Sequence, residues 1–158
     1  MTAGARRGAP PLRPFGLILH HDGRWSHEGV PILNRRLSEA FDRGVLYLPD
    51  VGKYVVAIGR FRGEIEPEEA AFFVREFDAQ SGRIRLSDGT EELLEVASLR
   101  RSPIDAALLC RVKRDATPDG LPARFLPGPH AELLLAVDPD SDPPVLRIGG
   151  AAHPLPAL

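Results

Sequence analysis

The residue pattern predicts an α+β fold, predominantly antiparallel β with one or two short helices, arranged as two small, closely packed units. Three observations carry this. Apolar runs are short and mostly alternate, as half-buried strands require. Turn residues interrupt them at close intervals, with 15 glycines and 16 prolines in 158 residues. Only one segment has a clear helical stripe. A chain of this length buries roughly 70% of its unfolded surface on folding, enough for a core without disulfides.

Residues 1–14 are rich in Gly, Pro and Arg without periodicity and read as a flexible tail. The first unit is expected over 15–66 with order β-β-α-β, and a β-rich second unit over 67–158. The segment from Ile18 to Ile32 holds the only tryptophan and three of the five histidines. Asp22-Gly23 predicts a two-residue type I′ turn. That register sets His20 opposite Trp25 and Ile18 opposite His27, so Ile18, His20, Trp25 and His27 share one face. Gly29 to Pro31 then breaks the strand. Asn34 is a fitting N-cap, and Leu33, Leu37, Ala40 and Phe41 form one helical stripe that Gly44 stops.

Strands follow at Val45–Leu48 and Tyr54–Ile58. The segment from Pro67 to Phe77 reads two ways. Pro67-Glu68-Glu69 suits a helix start, whereas Phe72, Phe73, Val74 and Phe77 suit a buried strand. Further strands are expected at 83–87, 90–97 and 104–114, and extended chain at 121–126. A short helix is expected at 129–137. A closing hairpin spans 145–155 around Gly149-Gly150 and faintly echoes the first, which suggests repeated β-rich motifs.

Few chemistries fit. The net charge of −2 leaves no basic footprint for nucleic acid. Arg100-Arg101 and Arg111-Lys113-Arg114 lack interleaved aromatics and read as a solvated sheet face. No apolar run spans a bilayer and no secretory signal is visible, so a cytoplasmic protein without a membrane partner is expected. The single Cys110 excludes an intrachain disulfide, and its place between Leu108 and Val112 predicts an inert thiol. Glu64, Glu66, Glu68, Glu69, Glu91 and Glu92 supply carboxylates without a motif to organise them. No phosphate loop, dinucleotide glycine pattern, nucleophile elbow or zinc-protease helix occurs, so no catalytic residue and no cofactor is assigned.

The His hairpin is the remaining candidate. Its indole reads first as a core anchor. If it lines a pocket, His27, Arg24 and Tyr54 are its expected companions, giving a ligand site of Trp25, His27, Arg24 and Tyr54. His20 and His27 on one face are a weak metal pair, short of the three ligands an open catalytic site uses. The leading expectation is a non-catalytic module binding a small molecule or a protein partner. The alternatives are a metal-assisted hydrolase on His20 and His27, and a structural protein that self-associates into a homo-oligomer.

The hairpin motif Asp22-Gly23-Arg24-Trp25 with His27-Glu28-Gly29 and Pro31-Ile32, then Phe41, Tyr54 and the acidic-to-aromatic run Glu66 to Val74, resembles the bacterial domain-of-unknown-function family 1285. Leu99 to Lys113, Pro122-Ala123-Arg124, Glu132-Leu133 and Leu146 to Leu155 continue the match. The chain departs at Ala71, where the family has proline, and at His20, where it has an acid. The resemblance implies a two-part α+β architecture with repeated motifs and a role in signalling or ligand sensing. It implies strand for the middle segment and transfers no catalytic residue.

Overall fold

The computed structural model describes residues 13–158 and is α+β, with mostly antiparallel sheets in two similar units, 1–69 and 70–158. Residues 1–12 of the expected tail lie outside the described residues, while Arg13 and Pro14 already belong to the first strand.

In unit 1, β1 (Arg13–Leu19), β2 (Trp25–His27) and β3 (Val30–Pro31) form one antiparallel meander. The helix α1 (Arg35–Gly44) follows. A second meander then runs through β4 (Val45–Leu48), β5 (Lys53–Ile58) and β6 (Phe61–Pro67). The two join through a parallel pairing of β1 with β6, giving the order β3-β2-β1-β6-β5-β4. The Glu68 N–H donates to Leu19 O just beyond the join.

Unit 2 repeats this plan. Its strands β7 (Phe72–Phe77), β8 (Arg83–Leu86) and β9 (Glu91–Leu93) form the first meander, and β10 (Arg100–Arg101), β11 (Leu108–Val112) and β12 (Leu121–Phe125) the second. The sheet order is β10-β11-β12-β7-β8-β9, with β7 parallel to β12. Read from the other edge this is the strand order of unit 1. The Leu126 N–H donates to Val74 O where Glu68 donates to Leu19. A 3₁₀ turn at 96–98 stands where unit 1 has α1. The helix α2 (Pro127–Leu135) follows β12, and β13 (Val137–Asp138), β14 (Val145–Ile148) and β15 (Ala151–Pro154) close the chain as a separate sheet. The repeat therefore relates β1–β6 to β7–β12. The closing hairpin that echoed the first is not part of it.

The middle segment is strand, as its aromatics favoured: Phe72, Phe73, Val74 and Phe77 are all buried. The expected strand from 104 shortens to Leu108–Val112, because Ser102 Oγ accepts from the Ile104 N–H and Asp105 Oδ1 from the Ala107 N–H, holding turns there. In the 90–97 segment, only Glu91–Leu93 is strand.

The first hairpin differs from the expected register. Gly23 N–H donates to His20 O and His20 N–H to Arg24 O, and of the loop residues Gly23 alone has a positive φ, 91°. This is a three-residue loop, a type I turn closed by a left-handed glycine, not a two-residue type I′ turn. Asp22 Oδ1 accepts from the Arg24 N–H and steadies it. The pairs become Leu19 with Trp25, Ile18 with Ser26 and Leu17 with His27. Trp25 and His27 still share a face, now with Leu17 and Leu19. A one-residue shift moves every partner to the other side, so Ile18 and His20 lie on the opposite face.

Candidate functional site

In unit 1 a groove of about 520 Å³ runs between α1 and one sheet face. Leu17 from β1 and His27 from β2 line one side, and Val56 and Ile58 from β5 the other. Leu37 and Phe41 from α1 and Ile32 from the preceding loop complete it. Six of the seven are apolar; among the described lining residues His27 is the one polar side chain.

The helix is built to wall rather than to plug. Asn34 caps it, its Oδ1 accepting from the Leu37 N–H at 3.1 Å, and Arg35 pairs with Glu39 one turn on. Leu37 and Phe41 fall on one stripe, yet no residue of α1 is buried, and Leu37 keeps 43% of its surface exposed. An amphipathic helix whose apolar stripe is only half covered leaves a cleft beneath it. The sheet adds to the space: Gly63 on β6 pairs with Val56 on the same face and brings no side chain.

Trp25 lies behind this groove. It is 1% exposed, its ring sits 5.3 Å from Phe41, and its indole N–H donates to Asp42 Oδ1 at 2.8 Å. The core-anchor reading therefore describes it, and its ring touches Phe41, which lines the groove. Arg24 is exposed on the loop and pairs with Asp22. Tyr54 stacks on Tyr47 across β4 and β5 at 5.0 Å. Of the four residues expected to form a ligand site, only His27 lines the groove.

The other histidines do local work. His20 Nε2 lies 2.8 Å from Ser26 Oγ. His21 donates its backbone N–H to Glu68 Oε1 at 2.7 Å, and its Nδ1 lies 2.5 Å from the same oxygen. That backbone bond, with the imidazole contact behind it, holds the Glu68 carboxyl below the usual range. The shifted register puts His20 and His27 on opposite faces, which removes the geometry of the metal pair. Among the described residues no three His, Cys, Asp or Glu side chains group as a metal site.

The remaining candidates are engaged with each other. In unit 2, Lys113 Nζ pairs with Asp88 at 2.7 Å above the Phe72 ring, Arg114 grips Glu95 through two nitrogens, and Arg111 donates to Gly120 O. Glu92 accepts the Lys113 N–H, and in unit 1 Glu64 pairs with Lys53. Unit 2 also has a charged cleft of about 520 Å³ between β7–β9 and α2, where Arg85 stands between Glu76 and Glu91 and the charges compensate. Cys110 is buried, and burial pushes its thiol up to about 12.

Sequence reasoning missed the groove. Its one visible signal was the helical stripe at Leu37 and Phe41; the concavity depends on how α1 is placed over the sheet.

No family model matches the sequence, and no curated protein matches it. Two solved structures do share its fold. A DUF1285 family protein from Silicibacter pomeroyi DSS-3 superposes with a TM-score of 0.63 at 18% identity, over 92% of this chain and 82% of that one. A DUF1285 family protein from Shewanella baltica OS155 superposes with a TM-score of 0.52 at 12% identity, over 77% of this chain and 91% of that one. Among the described residues no helix is long and apolar enough to cross a membrane. With two six-stranded sheets, each made of a pair of three-stranded meanders, the chain has the fold of these DUF1285 family proteins.

Proposed function

We propose that the protein is a binding module that takes an apolar or amphiphilic small ligand into the groove of unit 1. The observation that supports this is the lining: six apolar side chains and one imidazole around about 520 Å³. Concave, mostly apolar sites of this size with few polar groups are the usual form of small-molecule sites. The role in signalling or ligand sensing implied by the family resemblance fits such a module.

A thermal-shift screen of apolar and amphiphilic ligands tests it, with Leu37→Asp as the control. Leu37 is part-exposed, so a carboxylate there leaves the core intact while placing a charge in the groove wall. A ligand at a hundredfold its Kd stabilises the fold by about 2.7 kcal/mol, several degrees in Tm for a unit of this size. The reading fails if no such ligand stabilises the protein, or if stabilisation is unchanged in Leu37→Asp.

A further inference from the structure

The lining also speaks to the chemistry of the occupant, an argument that rests on the groove being a ligand site. We propose that the groove takes an amphiphilic monocarboxylate, a straight acyl or arylalkyl chain whose acid head meets the His27 imidazole. The chain is indicated by the walls. Leu17, Ile32, Leu37, Phe41, Val56 and Ile58 offer no hydrogen bond, so every polar group placed among them loses its water without a partner. The ligand body is therefore hydrocarbon.

The head is indicated by the position of His27, the one polar side chain among the described lining residues, and by the hydrogen bond an imidazole N–H can donate. His27 lies on β2 and the far wall on β5, three strand spacings apart, about 14 Å at the usual separation. Polarity thus sits at one end of the groove, which orients an elongated ligand with one polar terminus. Among the described residues no carboxylate lines the groove. The nearest acids in sequence are directed elsewhere: Asp42 accepts the Trp25 indole N–H, and the Glu28 side chain lies over Gly16. An anionic head meets a hydrogen-bond donor and no like charge, whereas a cationic head meets no partner. Between the two ends the register sets Gly63, which carries no side chain, opposite Val56.

Titration calorimetry with decanoate, decanol and decyltrimethylammonium, each below its micelle concentration, tests this on the full chain and on His27→Leu. Decanoate is expected to bind about tenfold more tightly than decanol, the margin of one charge-assisted hydrogen bond, with the quaternary ammonium weakest. In His27→Leu the ratio of decanoate to decanol affinity falls to near one. Equal binding of decanoate and decanol to the natural protein, or a preference for decanoate that survives in His27→Leu, overturns the assignment of the head while leaving the groove a ligand site. Failure of all three probes to bind overturns both.

Discussion

The Trp25 indole N–H donates to the Asp42 carboxylate on α1 at 2.8 Å, tying the buried ring of β2 to the helix that walls the groove. This bond and the Trp25–Phe41 contact attach the helix to β2, while its C-terminal end packs against Ala57 of β5. Replacing Asp42 with alanine leaves a buried donor without this acceptor, at a cost of about 1–3 kcal/mol. Urea unfolding followed by tryptophan fluorescence measures it. A loss well under 0.5 kcal/mol, the scale of an ordinary surface substitution, would show that α1 is held by other means.

Glu68 gives the protein an acid-side liability. Its carboxyl is held below the usual range first by the His21 backbone N–H and then by the His21 side chain. A lowered folded-state value means that this stabilisation is present above the ordinary carboxylate pKa and is lost as pH falls through the folded one. Glu68→Gln should flatten the decline in stability below about pH 4.5. Thermal melts from pH 3 to 6 read this limb. An acid limb of unchanged steepness in the variant would exclude the pair as its source.

Cys110 should be chemically silent in the native state. Burial raises its thiol to about 12, and the thiolate is the species that reacts. At pH 8 a disulfide reagent should label the protein only after denaturant is added, with labelling and unfolding midpoints coincident. Stoichiometric native-state labelling within minutes would mean that β11 opens locally.

Gly44 is required for closeness, not for a left-handed turn. Its φ is not positive, and a Cβ built on it lies 2.6 Å from Ala57 O on β5. Gly44→Ala must push the end of α1 off the sheet, costing about 1–3 kcal/mol as overpacking does. Gly59→Ala makes the comparison: a Cβ there meets nothing, so its cost comes from the backbone conformation alone. Chemical denaturation of both variants, and decanol binding to Gly44→Ala, would show whether the displaced helix also reshapes the groove.

The first helix was readable because its cap and stripe are local: Asn34, Leu37 and Phe41 do what their spacing implies. The hairpin position was readable for the same reason, but its register was not. Asp-Gly closes either a two-residue loop with both residues left-handed or a three-residue loop with glycine alone left-handed, and tertiary pairing chose the second. β6 escaped notice because Arg62, Glu64 and Glu66 alternate with Gly63 and Ile65, so its apolar side is thin until β1 pairs with it. The repeat was hidden since strand order leaves no periodic trace when the two halves differ in every turn. Among the candidate site residues, Trp25 was drawn inward by the corrected register and His27 was left at the groove. Which apolar residues remain uncovered depends on helix placement, a long-range property.

Each six-stranded sheet places its first and last strands side by side at the centre, β1 on β6 and β7 on β12. Neither sheet can be completed until its final strand has been made, so on the ribosome each early meander, finished at Pro31 or Leu93, waits with an open edge until Pro67 or Phe125 has been added. Such distant pairing favours slow assembly and exposes the nascent chain to foreign partners. A truncation ending before β6 or before β12 would not trim a margin; it would split the sheet down its middle.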